Sequence, residues 1–289
     1  MMLIDRNGTI IDKTDNQDKI LSVLYGTAIG RMLLKPLTHP VISKLAGKFL
    51  STKASCIFIK PFIKNNSIDM TQFEEERYAS YNEFFSRKIR PDARRVDREP
   101  GHLISPCDSK LTVLPVEADG RFSIKHTQYT LAELLKSEEL AAEYVGGTAL
   151  LFRLTVDDYH RYCYPADGSR GGFVAISGIF HTVNPVANDH YPIYKENARE
   201  YCILHTRQFG DMVMMEVGAL LVGKIVNHPG SACVKRGQEK GYFRFGGSTV
   251  VVLLKRGAAM LDPDLLENSR QGWETVVRYG EKIGRANET

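Results

Sequence analysis

The chain has 289 residues and a formal net charge of +4; 43% of its residues are hydrophobic and 25% are charged. This length permits one large domain or two small ones, and the proportions are those of an ordinary globular protein rather than a disordered chain. The five cysteines are widely spaced and form no CxxC pair, which argues against a disulfide framework or a zinc site and favours a reducing compartment.

The N-terminal third of the chain combines basic residues with apolar ones. Residues 1–18 are polar and do not predict a signal peptide, and no apolar run approaches the roughly 20 residues that a membrane-spanning helix needs. Residues 19–68 contain no Asp or Glu but eight Lys and Arg. A long basic segment of this kind favours contact with anionic lipid.

Residues 18–65 have the apolar spacing of amphipathic helices, which prolines divide into short pieces. Two rows follow the i, i+4 spacing, one of Val41, Leu45 and Phe49 and the other of Ile42, Ala46 and Leu50. Two interpretations remain open at this point. The helices either cap the core with their apolar side or lie on a membrane with that side toward the lipid.

The rest of the chain contains fewer helices and many short strands. We predict a helical segment at residues 71–90, closed by Pro91, and another from Thr130 to Tyr144 with Glu133 at the capping-box position. Segments rich in Val, Ile, Leu and Phe predict strands at 110–116, 148–156, 172–180, 211–217, 219–227, 242–246, 249–255 and 274–279. The predicted fold class is α+β: a helical N-terminal membrane-associating region, residues 1–95, over a mainly antiparallel, barrel-like or sandwich-like catalytic domain, residues 96–289.

Ser248 is the first candidate for chemistry, because it follows Gly246-Gly247 and precedes a very apolar strand. Two glycines leave room for the serine hydroxyl to approach its own preceding carbonyl, and they tolerate the backbone angles that this approach needs. Taken alone, the same four residues are also typical of a tight turn between two strands.

Three other residues have the chemistry to support a reactive serine. Asp108 lies in a loop before a strand, His160 follows two acidic residues and a tyrosine, and His181 lies at the end of a predicted strand. In serine activation, a base removes the hydroxyl proton and a carboxylate orients the base. A hydrolase elbow of the Gly-x-Ser-x-Gly type is absent, because position 250 is valine, so the inventory alone leaves the target of the serine open.

Several motifs together resemble those of the phosphatidylserine decarboxylases. The segment Phe243-x-Phe245-Gly246-Gly247-Ser248-Thr249 is similar to the self-processing site of that family. In the expected order, the chain also contains the segments 81–91, Ser105-Pro106-Cys107-Asp108, Asp158-Tyr159-His160-Arg161, Thr182-Val183-Asn184-Pro185, Asn197-x-Arg199, Val217-Gly218-Ala219-x-x-Val222-Gly223 and Glu239-x-Gly241-x-Phe243. Each motif is weak by itself, but their ordered combination is specific.

The resemblance implies a proenzyme that cleaves itself between Gly247 and Ser248, giving a β chain (1–247) and an α chain (248–289) that stay associated as a heterodimer, with a dimer of these also allowed. Ser248 then becomes a covalent pyruvoyl cofactor that forms a Schiff base with the serine headgroup of phosphatidylserine, and the products are phosphatidylethanolamine and carbon dioxide. The implied location is peripheral, at the cytoplasmic side of the cell membrane. No metal and no nucleic-acid partner is expected.

The chain departs from the family pattern at Cys163, where the common histidine loop carries a second histidine that is the presumed base of self-cleavage. A thiol is a poor substitute unless its pKa is lowered. We therefore hypothesise that His160 or His181 is the base and that Asp108 is its orienting carboxylate; a role of His160 with the substrate is the alternative.

Two other functions compete with this interpretation. A serine hydrolase that uses Ser248 predicts an intact chain and labelling by serine-directed reagents. A non-catalytic membrane-binding domain that lost its base at Cys163 predicts an intact chain without decarboxylation.

Overall fold

The computed structural model describes residues 2–11, 23–27, 30, 32, 40–74, 77–124, 127–179, 181–182, 191, 193–219, 224–244 and 248–287. Several predicted features lie wholly or partly outside these residues. They are most of residues 18–39 within the predicted helical stretch 18–65, residues 220–223 of the strand predicted at 219–227, the ends of those predicted at 172–180 and 242–246, and Gly247 at the predicted cleavage site.

The helical segments with defined bounds are short, and five of them lie between residues 40 and 85. They are α1 (Pro40–Leu50), a 3-10 helix (Lys53–Phe58), α2 (Ile59–Asn65), a 3-10 turn (Met70–Gln72), α3 (Tyr81–Phe85), α4 (Leu131–Leu135), α5 (Glu138–Ala142), α6 (Ile193–Glu196) and α7 (Pro263–Arg270). Among the described residues, no helix is both long and apolar enough to cross a bilayer.

Nineteen strands make up the rest of the regular structure. They are β1 (Leu3–Ile4), β2 (Ile10–Ile11), β3 (His102–Ile104), β4 (Ser109–Pro115), β5 (Arg121–Ile124), β6 (Thr127–Thr130), β7 (Thr148–Leu154), β8 (Arg161–Cys163), β9 (Gly168–Arg170), β10 (Val174–Ile176), β11 (Arg199–Thr206), β12 (Gly210–Val217), β13 (Ile225–Asn227), β14 (Cys233–Val234), β15 (Glu239–Phe243), β16 (Ser248–Leu254), β17 (Ala259–Leu261), β18 (Glu274–Val277) and β19 (Lys282–Ala286) in the part of the chain that is described.

The main sheet has the order β14-β9-β11-β12-β16-β7-β4-β18-β1-β2, with β10 also paired to β11. Its strand pairs are antiparallel except β1 with β18. The first and last strands of this order do not pair with each other, so the described strands form an open sheet and not a closed barrel. The α+β class and the antiparallel core are confirmed, and the barrel-like alternative is wrong.

A smaller sheet, β13-β15-β8, covers part of the main sheet. Lys240 of β15 reaches Glu216 of β12, with its Nζ 2.5 Å from Oε2, and both side chains are fully buried. Strand β16 lies in the middle of the main sheet, and all seven of its residues are buried. A strand covered on both faces needs apolar residues throughout, which explains the continuous run after Ser248.

The residues at the N-terminus differ from the prediction of a wholly helical region. Leu3 and Ile4 pair in parallel with Glu274 and Thr275, so β1 belongs to the main sheet. Arg6 anchors this segment through ion pairs with Asp262 and Asp264, both at 2.8 Å. Two-residue strands carry no periodic signal, so this pairing could not be predicted from the sequence.

The helical segment predicted at 71–90 is also much shorter in the structure. Residues 72–74 and 88–90 pair in extended conformation, with the N–H of Glu74 donating to the Lys88 carbonyl and that of Arg90 to the Gln72 carbonyl. Only α3 between them is α-helical, and Ser80 caps it by accepting from the N–H of Glu83 at 3.2 Å. The aromatic residues that suggested a long helix form a compact cluster instead.

The helix predicted from Thr130 to Tyr144 is divided in two. Thr130 accepts from the N–H of Glu133 at 3.2 Å, as the predicted cap requires. Lys136 then adopts a left-handed conformation, with φ of 55°, and ends α4. Ser137 starts α5 by accepting from the N–H of Leu140.

Candidate active site

Ser248 is the first residue of the central strand β16. On one side it pairs with Leu154 of β7, and on the other side its neighbour Thr249 pairs with Val217 of β12. The Ser248 side chain is fully buried, and its Oγ has no hydrogen-bond partner among the described residues. Buried hydroxyl groups are nearly always hydrogen-bonded, so this atom is a candidate for chemistry rather than for folding.

His160 lies in the loop that joins β7 to β8. These two strands pair with β16 and β15, which flank the predicted cleavage site. The His160 carbonyl accepts from the N–H of Phe243 at 2.9 Å, five residues before Ser248, and the loop begins just after Leu154, which pairs with Ser248. The tertiary structure therefore places His160 beside Phe243 and Leu154 beside Ser248. The motifs around His160 and Ser248 are therefore neighbours in the fold, although they are distant in the chain.

The His160 ring is fully buried and stacks on Phe85, with 4.0 Å between the ring centroids. Neither ring nitrogen has a hydrogen-bond partner among the residues that the structure describes. Burial lowers the pKa of His160 to about 3, and the positive charge of Arg87 acts in the same direction. At neutral pH the imidazole is therefore uncharged, and one ring nitrogen is available as a proton acceptor.

A buried ion pair fixes the loop that carries His160. The Nζ of Lys110 lies 2.7 Å from Oδ1 of Asp158 and 2.6 Å from Oγ1 of Thr155. The backbone N–H of Thr155 also donates to Asp158. Lys110 was not among the sequence candidates, because a lysine in a strand normally marks a solvent-exposed position, and only the fold shows that it points into the loop.

His181 is connected through Asn197 to β12, the strand on the other side of β16. Its backbone N–H donates to Oδ1 of Asn197 at 2.9 Å, and the Asn197 amide donates to the carbonyl of Gly218 at 2.7 Å. Gly218 follows Val217, the partner of Thr249, and so lies next to Ser248 in the sheet. The asparagine thus connects the two sequence motifs that contain His181 and Gly218.

The His181 ring is held by two tyrosines. It stacks on Tyr191 with 4.3 Å between the ring centroids, and its Nδ1 lies 3.4 Å from the hydroxyl of Tyr25. Burial lowers the pKa of His181 to about 4. His181 is therefore also neutral at pH 7, but its ring is more fully engaged than that of His160.

Asp108 is buried, with 2% of its surface exposed, and it is held by positive and N–H groups. The guanidinium of Arg94 donates from Nη2 to Oδ2 at 2.6 Å and from Nε to Oδ1 at 3.0 Å, and the N–H of Tyr279 donates to Oδ1 at 2.7 Å. Within the described residues neither His160 nor His181 contacts this carboxylate. The orienting role hypothesised for Asp108 therefore has no direct contact with either histidine behind it among the described residues.

Cys163 lies in the same region but not in a reactive environment. Its side chain is fully buried, and burial raises the pKa of the thiol to about 12. Its backbone N–H donates to the carbonyl of Pro106 at 2.9 Å, which brings the histidine loop against the loop that contains Asp108. Burial therefore disfavours the thiolate, which is the form that a general base would need.

The comparisons with known proteins agree with the motifs. The family model described as phosphatidylserine decarboxylase matches residues 81–285. The phosphatidylserine decarboxylase proenzyme 2 of Clostridium acetobutylicum is 49% identical over 93% of this chain and 92% of its own length. Proenzymes with the corresponding name from Ruminiclostridium cellulolyticum and Clostridium novyi are 40% and 38% identical, each over 92% of this chain and at least 91% of their own length. The chain therefore belongs to the phosphatidylserine decarboxylase family.

Proposed function

We propose that this chain is a self-cleaving proenzyme of phospholipid biosynthesis, a carboxy-lyase that converts phosphatidylserine to phosphatidylethanolamine and carbon dioxide. The observation that carries the proposal is the environment of Ser248, whose hydroxyl is buried with no hydrogen-bond partner among the described residues, at the start of the central strand of a member of this family. Folding alone gives no reason to bury a polar atom unpaired.

In the proposed self-cleavage, Oγ of Ser248 attacks the carbonyl carbon of Gly247, and the peptide nitrogen leaves with a proton, so that an ester replaces the amide. Removal of the α-proton of Ser248 then expels the upstream chain as a carboxylate and leaves dehydroalanine. Hydrolysis of the dehydroalanine gives the pyruvoyl group and ammonia. The products are chain 1–247 and chain 248–289.

We assign the base of this reaction to His160. Its loop lies alongside the cleavage segment, and its neutral ring has two buried nitrogens without partners among the described residues. His181 is the second candidate because Asn197 connects it to the strand next to Ser248. If His160→Ala and His181→Ala both cleave at the rate of the parent protein, the assignment is wrong.

The ion pair with Arg94 supports a different role for Asp108 from the one that we predicted. A carboxylate bound on both oxygens by an arginine and a backbone N–H is an anchor. We propose that Asp108 holds the loop at residue 108 against Tyr279 and thereby supports the histidine loop, whose Cys163 N–H donates to Pro106. In this role Asp108 helps to fix the position of the loop that carries His160, and it makes no hydrogen bond to the histidine itself.

Decarboxylation needs an electron sink, which ordinary side chains lack, and the pyruvoyl ketone supplies it by accepting electrons as carbon dioxide leaves. The group fits this site because it forms in place from Ser248. Thr249 pairs with Arg153 of β7 and Val217 of β12, and both partners belong to the larger chain. The sheet therefore supports a stable heterodimer in which the new chain end stays in position.

We also propose that the protein attaches peripherally to the cytoplasmic side of the cell membrane. The row of Val41, Leu45 and Phe49 on α1 is exposed, at 53%, 57% and 49%, while Leu50 packs against the aromatic cluster of α3. Ile57 and Phe58 extend this exposed apolar surface, and Lys48, Lys53, Lys60 and Lys64 are exposed nearby in the chain. An apolar face next to lysines suits a membrane with anionic lipids.

Flotation with phosphatidylserine-containing vesicles tests the membrane proposal. The double variant Leu45→Ser/Phe49→Ser should reduce the bound fraction severalfold, whereas Val174→Ser should not, because Val174 is 45% exposed on a distant strand. Equal binding by both variants would contradict the proposal.

Intact mass under denaturing conditions tests the proposed function directly. The expected result is two chains, the smaller one beginning at residue 248 and lighter by one ammonia than a serine-started peptide. Ser248→Ala is the matched control and should give a single chain. An intact parent chain that reacts with fluorophosphonate would instead favour the serine hydrolase.

A further inference from the structure

Arg87 is a buried cation in the segment that packs against the histidine loop. Only 2% of it is exposed, and its guanidinium carbon lies 4.2 Å from the ring centroid of Phe73 and 4.9 Å from that of Phe84. Its Nη1 donates to the carbonyl of Phe84 at 3.3 Å, and its Nε is buried without an acceptor among the described residues. Burying a charge is costly unless it is paired, so this guanidinium requires an explanation.

Two other buried arginines show what a purely structural arginine looks like here. Arg199 is as deeply buried as Arg87, and it donates to the carbonyls of Glu133, Leu134, Lys195 and Asn197, all within 2.9 Å. Arg153 forms an ion pair with Glu274. A third, Arg236, also has its Nε without an acceptor among the described residues, but it donates to the carbonyls of Glu99 and Pro100. Among the described residues, Arg87 has neither a set of carbonyls nor a carboxylate within ion-pair distance, so within this part of the chain its charge is available for an anion.

Arg87 also lies beside the proposed reaction site. Phe85, two residues earlier, stacks on His160 with 4.0 Å between the ring centroids. The Nε of Arg161 donates to the carbonyl of Ser86 at 2.8 Å, which fixes this backbone against the histidine loop. The charge of Arg87 helps to lower the pKa of His160, as expected for a cation close to the ring.

An apolar cavity of about 510 Å³ lies in the preceding helical segment; Arg87, Phe73 and Phe84 do not line it, but Tyr78, which does, contacts Phe84. Ile59, Ile63, Met70 and Tyr78 line it, together with Lys60. The Tyr78 ring lies 5.5 Å from that of Phe84, on which Arg87 stacks, and the N–H of Phe73 donates to the Met70 carbonyl. A cation beside an apolar cavity matches a ligand that joins an anionic group to a hydrocarbon chain.

We propose that Arg87 binds the phosphodiester of the lipid substrate and that the adjoining cavity receives its hydrocarbon. This inference rests on the proposed function, and it names a headgroup contact for the same site. The phosphodiester suits Arg87 better than the carboxylate does, because the phosphate keeps its charge throughout the reaction. A cation on the departing carboxylate would instead stabilise the ground state and slow the loss of carbon dioxide.

The proposal predicts a change in KM rather than in kcat, because the contact to the phosphate is equally strong before and during the reaction. With dihexanoylphosphatidylserine as the substrate, Arg87→Gln should raise KM on the order of tenfold or more and leave kcat within about twofold. Arg87→Lys keeps the charge and should show a smaller rise. Self-cleavage, measured by intact mass, should remain complete in both variants.

Competition separates the phosphodiester from the rest of the lipid. Dihexanoylphosphatidylglycerol, which keeps the phosphodiester but lacks the serine, should inhibit the parent enzyme more strongly than the neutral dihexanoylglycerol. Arg87→Gln should abolish this difference. Arg170→Gln is the matched control, because Arg170 also stacks on a ring, 4.6 Å from the centroid of Phe173, but lies on β9, away from the site.

An unchanged KM in a fully cleaved Arg87→Gln protein would overturn the inference, and so would a fall in kcat alone. If both Arg87 variants fail to fold, Phe73→Leu removes one of the two rings and keeps the charge, and an unchanged KM in that variant would overturn it equally. The failure of the proposed function looks different, because the parent protein itself would then fail to cleave or to release carbon dioxide.

Discussion

The ion pair between Lys240 and Glu216 gives the sharpest prediction about stability. Both side chains are fully buried, and the pair joins the small sheet to the main sheet. Glu216 pairs in register with Val250, two residues after Ser248. The change Lys240→Met removes the cation and leaves the carboxylate buried without its partner, in the strand that flanks the reactive serine.

Breaking a buried pair on one side typically costs about 3–5 kcal/mol, whereas replacing both partners by apolar groups is often neutral. For a domain of this size, the single variant should therefore lower Tm by roughly 6–10 °C. The double variant Lys240→Met/Glu216→Leu should recover most of that loss. Calorimetry on proteins that also carry Ser248→Ala keeps self-cleavage from complicating the comparison.

The loss should also depend on pH. Burial raises the pKa of Glu216, and Lys240 counteracts this rise, so removing Lys240 raises the pKa further. A carboxyl whose folded pKa exceeds its unfolded value stabilises the fold when protonated, and this contribution is lost as pH rises through the folded pKa. The deficit of Lys240→Met should therefore be larger at pH 8 than at pH 5, and a deficit that is small or independent of pH would refute the reasoning.

Three further predictions concern the site. Cys163→Ser should cleave at the parental rate, measured by gel densitometry, because a thiol with a pKa of about 12 is not the base. Asp108→Asn should lower Tm as well as slow cleavage, since it breaks the buried pair with Arg94; a variant that cleaves slowly with unchanged Tm would instead favour an orienting carboxylate. The neutral His160, whose pKa falls from 6.5 to about 3, should make the free energy of unfolding decrease as pH drops below 6.5, by about 1.4 kcal/mol per pH unit, and His160→Phe should flatten this dependence in urea titrations.

Some parts of the fold were predictable because their signals are local. The strand that begins at Ser248 is apolar at every position from Val250 to Leu254, and the structure confirms it as the buried centre of the sheet. The cap at Thr130 is confirmed because it depends on residues only three positions apart. By contrast, α7 was not predicted, although Asp262-Pro263 is a recognisable start of a helix.

The strand Arg199–Thr206 was also missed, because its charged residues and histidine hide the alternation of buried and exposed positions. Arg199 at its start is buried by donating to carbonyls of distant elements. The secondary-structure propensity of a residue reflects its own segment of the chain, so it cannot predict a hydrogen-bond partner that lies 65 positions away.

The sequence by itself determined the family and the candidate nucleophile, because an ordered set of motifs around Ser248 depends only on residue types and spacing. Only the tertiary structure decided the electrostatics of the site. It paired Asp108 with Arg94, left the ring nitrogens of His160 without partners among the described residues and raised the pKa of Cys163. Burial and charge pairing act through space between residues far apart in the chain, so they exist only once the strands have been brought together.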